Sequence, residues 1–223
     1  MASMRDIKRR RDSIESTGQI TKAMKLVSTV KLQKVKSRAE KTKPYSDIMY
    51  ETVSNILAKS GNINHKFLKP GKSDKKAIIV ITSNRGLAGG YNSNITKMIT
   101  NSTIPNDDIY IYAIGSKCRE VLERKGYDIR ADYSDVINEP LYTDAKQICD
   151  KLIDDYVKGE IGEIYLAYTS FKNTVVHVPK LIKLLPVDAE AVKEDSDADS
   201  TPMNYEPNDE EALNLIIPKY VCY

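Results

Sequence analysis

Between Met4 and Ala58 the chain holds one glycine, Gly18, and one proline, Pro44, and is otherwise rich in Lys, Gln, Ala, Met and Leu. These residues lose little side-chain freedom in a helix, so the stretch is predicted to form one very long helix. Its apolar residues are sparse. Ile7 and Ile14 stand seven apart, Ile20, Met24 and Val27 follow at i, i+4 and i+7, and Ala23, Leu26 and Val30 lie alongside. A seam that thin asks for a partner helix; the wider stripe that docks on a globular core is missing. At 1.5 Å per residue the part up to Lys43 would be about 60 Å long. Pro44 is expected to kink or break it, because proline removes a backbone donor and its ring crowds the preceding turn.

Charge divides the chain further. The net charge of +3 hides a basic beginning and an acidic later stretch. Residues 1–43 carry 13 Lys and Arg against 4 Asp and Glu, a balance of +9, whereas residues 186–212 carry 1 against 10, or −9. The two stretches call for different partners. Hydrophobic residues at 41% and charged residues at 29% are ordinary for a globular protein. No apolar run approaches the roughly 20 residues needed to cross a bilayer, so direct membrane insertion is not expected. The start, MASMRDIKRRR, lacks the apolar stretch of a secretory signal, which makes the cytoplasm the default.

The middle of the chain has another rhythm. The run AIIVIT (77–82) is β-branched and continuously apolar, as a strand covered on both faces must be. A glycine-bearing turn, SNRGLAGGYN, follows it, and SNITKMIT reads as a helix. IYIYAIG (109–115) then reads as a strand, SKCREVLERKG as a helix, Tyr127 to Ala131 as a short strand, and TDAKQICDKLIDDYVKG as a long amphipathic helix. EIYLAYTSF (163–171) is expected to be a buried strand, and NTVVHVPKLIKLLP an edge strand because of His177 and Pro179. Such alternation predicts an α/β class: a long N-terminal coiled-coil helix plus a Rossmann-like domain with a mainly parallel sheet and helices on both faces. The expected organisation is a shaft helix over 1–58, a linker over 59–74, the α/β domain over 75–186, an acidic loop and further segment over 187–207, and a helix from 208 to 223 whose acidic first turn suits the helix dipole.

The residues that could carry chemistry are few. Cys118, Cys149 and Cys222 are odd in number and widely spaced, so free thiols in a reducing compartment are expected. His65 and His177 have no acid or cysteine at ligand spacing, and no metal is expected. Strand, glycine-rich turn and helix around Arg85, Gly86, Gly89 and Gly90 invite comparison with a phosphate cradle. RGLAGGYN departs from G-x-G-x-x-G, however, and lacks a G-K-[ST] element; the turn is read as a tight strand-to-helix crossing, with no bound cofactor. The basic helix could attract nucleic acid, but no aromatic lies between Met1 and Lys43 to stack on bases. A small α/β nucleotide-binding protein and a basic-helix nucleic-acid binder are therefore the alternative readings.

Four blocks in one order carry a resemblance. IESTGQITKAMKLVSTVKLQKVKSR (14–38) is similar to the N-terminal coiled-coil helix of F-type ATP synthase gamma subunits. ITSNRGLAGGYNSNI (81–95) resembles that family's signature after the first strand, and YTSFKNTVVHVPKLIKLLP and MNYEPNDEEALNLIIPKY its later strand pair and the start of its second long helix. The resemblance implies a non-catalytic central-stalk rotor that couples transmembrane proton flow to ATP synthesis or hydrolysis. It also implies as partners the alpha and beta subunits of the catalytic hexamer, the epsilon subunit and the membrane c-ring. It places Lys8, Arg9, Arg10, Lys22, Met24 and Lys25 against the catalytic ring, and Tyr205 and Glu206 at a foot near the c-ring and epsilon. The same cations also suit an ordinary solvated face, and Met24 equally suits packing against a companion helix. Gamma subunits continue for roughly one more long helix, which this sequence begins and does not complete. A peripheral place on the cytoplasmic face of a bacterial cell membrane is the expected location, since no transit peptide precedes the helix.

Overall fold

Helix-forming composition and the absence of internal glycine beyond Gly18 give α1 (Met4–Lys59), a single helix of 56 residues. The fold is taken from a computed structural model that describes residues 3–59, 65–138, 140–187 and 209–222. The chain divides into two compact units, Met1–Ile48 and Met49–Tyr223, and each is treated by itself.

In the first unit every described residue from Ser3 to Tyr45 is exposed. Only local bonds hold the helix. The Ser3 hydroxyl accepts from the Arg5 amide at 3.4 Å and Asp6 accepts from the Ser3 amide at 3.3 Å, which together satisfy donors at the helix start. Hydroxyls of Thr17, Thr21 and Thr29 donate to carbonyls four residues back at 2.8–2.9 Å. The expected break at Pro44 does not occur, for the helix runs through it. One missing amide removes one rung of the ladder, and the rungs on either side continue to hold the backbone.

The second unit is built on a five-stranded sheet. After α1 come β1 (Lys76–Ile81), α2 (Tyr91–Thr100), β2 (Ile109–Ile114), α3 (Ser116–Arg124), β3 (Asp128–Asp132), α4 (Tyr142–Lys158), β4 (Glu163–Phe171), β5 (His177–Leu185) and α5 (Asp209–Cys222). The strand order is β3-β2-β1-β4-β5. All neighbours pair in parallel except β4 and β5, so β5 is the edge strand that His177 and Pro179 announce. Period-two alternation sorts the side chains to two faces. Ala77 and Ile79 of β1 join Ile148, Leu152 and Tyr156 of α4, Leu213 and Ile217 of α5, and Val53 and Ile56 at the end of α1. Ile78 and Val80 face the other way, with Ile95 and Ile99 of α2 and Cys118 and Leu122 of α3. Helices therefore cover both faces.

Two stretches differ from expectation. β4 is buried only at Ile164 and Ala167. Its pairing with β1 ends at Val80↔Ala167, while pairing with β5 runs on to Phe171↔His177; beyond Ala167 the hairpin projects past the sheet and loses cover. The polar stretch before β1 contributes His65 and Phe67 to the core, and the Phe67 carbonyl accepts from the Val187 amide at 2.9 Å.

Candidate functional site

The candidate contact residues of α1 are sorted by helical geometry. At about 100° per residue, Lys8, Lys22 and Lys25 fall within roughly 100° of one another, while Ile20, Met24 and Val27 form a stripe about 60° wide on the opposite side. Arg9 lies in line with that stripe and Arg10 beside it. Met24 is 52% exposed, and Ile20 and Val27 are similarly bare. Ile7 and Ile14 lie on a separate line, roughly 80–100° from Met24 at the stripe's near edge, so the seam changes track along the helix. The ion pairs in this unit are Arg11–Asp12 at 3.0 Å and Lys36–Glu40 at 3.7 Å. None of Lys8, Arg9, Arg10, Lys22 and Lys25 has an acidic partner among the described residues. Over residues 20–27 the helix thus sets the unpaired Lys22 and Lys25 on one side and the unpacked stripe of Ile20, Met24 and Val27 on the other, while nearer its start Arg9 and Arg10 follow the stripe's own line.

The glycine turn between β1 and α2 is closed by its own side chains. Asn92 accepts from the Ser83 amide at 3.0 Å and donates to the Ser83 hydroxyl at 2.8 Å. The Ser83 hydroxyl lies 2.6 Å from the Arg85 carbonyl, to which it donates. Across the rim, Asn84 accepts from the Ser116 amide at 2.9 Å and donates to the Ser134 carbonyl at 2.7 Å. The Lys117 amide donates to the Ser83 carbonyl at 3.2 Å and the Cys118 amide to the Thr82 hydroxyl at 3.0 Å. The first-turn amides of α3 are thus already bonded across the rim, and at α2, the helix the turn leads into, the Tyr91 amide donates to the Ala88 carbonyl at 3.2 Å. Gly89 has φ +56°, where a side chain is disfavoured. Gly90 precedes α2, and Gly86 has open space around it. Leu87 also has positive φ, at 61°, and is 96% exposed, while Arg85 is exposed at the same tip. A non-glycine residue in this conformation is uncommon, and no hydrophobic pattern in the sequence signals it.

Sequence reasoning also missed an ionic node at the start of the strands. Glu163 accepts from Lys183 at 2.8 Å, from Lys76 at 2.9 Å and from the Tyr165 hydroxyl at 2.9 Å. Burial pushes its carboxyl up, but the bonds from Lys183, Lys76 and Tyr165 outweigh this and hold it down at about 2. The same bonds raise both lysines. The parallel register that sets Lys76 beside Glu163 and the hairpin that returns Lys183 create the cluster. Tyr205 and Glu206 lie outside the described residues, as do the acidic loop and the helix start at Asn208.

A family model described as ATP synthase matches residues 3–223. The chain is 65% identical over 227 residues to the ATP synthase gamma chain of Lachnoclostridium phytofermentans, covering 99% of this chain and 78% of that one. It is 40% identical over 222 residues to the gamma chain of Alkaliphilus metalliredigens, covering 98% and 76%. The sodium-ion-specific gamma chain of Acetobacterium woodii is 35% identical over 235 residues, with 98% and 78% covered. Among solved structures, a chain of the central stalk and c-ring of Tetrahymena thermophila mitochondrial ATP synthase has the same fold, with a TM-score of 0.62 at 22% identity, over 91% of this chain and 88% of that one. By the family model that spans residues 3–223 and the gamma chains of 65% and 40% identity, the chain belongs to the gamma-chain family of the ATP synthases.

Proposed function

We propose that this chain acts as the central-stalk rotor of an F-type ATP synthase, coupling ion flow across a membrane to catalysis that takes place on other subunits. The observation that carries the reading is α1: exposed from Ser3 to Tyr45, with cations that have no acidic partner among the described residues and, over residues 20–27, an uncovered apolar stripe opposite Lys22 and Lys25. A helix of this kind is built for contact with surroundings that the chain does not itself supply. Lys8, Arg9, Arg10, Lys22 and Lys25 meet acidic segments of the alpha and beta subunits, where complementary charge sets register and speeds encounter. Met24 adds an adaptable apolar contact that needs no fixed hydrogen bond. Rotation changes which beta subunit is favoured only because these contacts differ in free energy among the beta conformations, since a partner shifts an equilibrium by its differential interaction and by nothing else. The lopsided placement of lysines and Met24 on α1 is the asymmetry that this requires.

The chain itself performs no chemistry in this reading. Folds of this class place reacting groups at the carboxyl ends of the strands, and here Thr82, Ser83, Asn84 and Asn92 are spent on one another and on α3. Tyr205 and Glu206 belong to the foot that meets the epsilon subunit and the c-ring, on the cytoplasmic face of a bacterial membrane. No helix among the described residues is long and apolar enough to cross that membrane.

Association of the purified chain with the alpha and beta subunits of a related synthase tests the proposal. Replacing Lys22 and Lys25 together by alanine should weaken association about tenfold and flatten its salt dependence. Met24→Ala should have the smaller effect. Binding that is indifferent to all three changes would refute the assigned contact face. A version extended to the length of the relatives should be the form that supports ATP-driven rotation in a single-molecule assay.

A further inference from the structure

Two thiols far apart in sequence meet in the core of the sheet unit. Cys149 stands on α4 and is 6% exposed, within the cluster that packs α4 against α5. Its Sγ lies 3.6 Å from the carbonyl oxygen of Val221. Cys222, the next residue, is half-buried against the same cluster, so the Val221 contact brings its thiol to the neighbourhood of Cys149. The side chains are adjacent because α5 turns one apolar face, Leu213, Ile217 and Val221, onto α4 at a spacing of four. Cys118 stands on α3, on the opposite face of the sheet, with no exposed surface, and its thiol donates to the Gly115 carbonyl at 3.1 Å.

The geometry points to Cys149 and Cys222 as a reversible dithiol–disulfide site that locks the end of α5 to α4. Neither the gamma-chain assignment nor the proposed rotor function requires or predicts this site.

The two sulfurs have unequal chemistry. Cys222 is the more accessible, and its thiol is held below its ordinary value by the neighbouring Cys149 side chain, against the opposing effect of burial, with Lys146 nearby. Cys149 is pushed the other way by the Cys222 side chain beside it and by its own burial. Thiolate character together with access decides which cysteine reacts, so Cys222 attacks first. Its thiolate adds to one sulfur of a small-molecule disulfide; the reagent's S–S bond breaks, and one small thiolate leaves, taking up a proton from solvent. The mixed disulfide on Cys222 is then attacked by Cys149, whose proton goes to solvent as the second small thiolate is expelled. Two protein thiols are oxidised by two electrons, and the reagent disulfide is reduced to two thiols. An excess of small thiol runs the exchange backwards. The bond would join residues 73 apart in sequence.

The test uses the whole chain equilibrated with oxidised glutathione, followed by acid quenching, alkylation under denaturing conditions and non-reducing peptide mass spectrometry. The expected product is a peptide pair linked between Cys149 and Cys222, with Cys118 still alkylated. Tm should rise by several degrees, because a long loop of the unfolded chain is closed, and reduced glutathione should reverse the rise. In the native reduced chain, iodoacetamide should modify Cys222 roughly tenfold or more faster than Cys118. Cys222→Ala and Cys149→Ser should each abolish the link, while Cys118→Ser should leave it intact. Should either of the first two variants unfold, the wild-type peptide map decides alone. Glutathione retained on Cys222 with Cys149 still free, a Cys222–Cys222 dimer, or a link that includes Cys118 would overturn the assignment.

Discussion

The helix up to Ile48 and the unit from Met49 onward obey different physics. The first has no core: every described residue from Ser3 to Tyr45 is exposed, and what orders it locally is backbone bonding, a capped start and helix-forming composition. The second buries the apolar side chains of its central strands, β1 and β2 above all, beneath helices on both faces. Isolated helices draw little stability from propensity alone. A helix so bare is therefore specified for partners it does not carry, while the sheet unit is specified for itself. Substitutions should separate the two.

The largest contrast comes from cutting side chains back. Leu152 is wholly buried between α4 and the sheet. Leu152→Ala should cost about 3 kcal/mol in urea unfolding, from lost transfer energy and a residual cavity. Ile20→Ala, at a site 58% exposed, should change the same measurement by less than about 0.5 kcal/mol. Equal losses at the two sites would mean that α1 is covered within the isolated chain.

Glycine sharpens the contrast at intermediate size. Gly115 has φ +115°, and a Cβ there would stand 2.3 Å from the Thr82 carbonyl oxygen. Gly115→Ala should destabilise the sheet unit by about 2 kcal/mol, since neither backbone can yield without breaking the β1–α3 contacts. At Gly18 a Cβ would meet nothing within 4 Å. Gly18→Ala should instead raise helicity by circular dichroism and favour the helix by about 0.5–1 kcal/mol.

The smallest effect concerns charge. The folded carboxyl of Glu163, at about 2, lies below its ordinary range near 4.3. Its contribution is therefore complete above that range and is lost as pH falls from about 4.5 to 2. Glu163→Gln should cost about 1 kcal/mol at pH 7 after solvent screening. Wild type and variant should converge in stability toward pH 2, as followed by denaturant unfolding across that interval. A difference independent of pH would assign the effect to packing.

What could be read in advance follows the same divide. Local signals were legible: AIIVIT as a covered strand, the helix-forming run through Ala58, and His177 with Pro179 on an edge strand. The continuity of α1 through Pro44 was not, because the rule for proline weighs one lost bond and a long helix supplies many others. Nor could the sequence indicate that Phe67 belongs to the core, since its neighbours are polar and the partners that bury it, including Tyr156 at 6.3 Å between ring centroids, lie some ninety residues away. The Glu163 node and the Cys149–Cys222 contact share that character, as both are products of topology. The exposed cations of α1 were visible as residue types, but sorting Lys22 from Met24 to opposite sides needed a continuous helix.

The one antiparallel strand has a consequence for how the chain is threaded. Ile164 pairs with Leu185, and Lys76 stands beside Glu163, so the polypeptide comes into the sheet and leaves it at the same rim. A ninth-residue step in the parallel sense would have carried it about 30 Å to the far side. Instead α5 and the end of α1 share one layer, with Tyr50 and Tyr220, the latter in the last turn of α5, at 6.2 Å between ring centroids. The residues of α1 from Met49 onward and those of α5 thus share one apolar layer, so a substitution that loosens either one loosens the seat of the other.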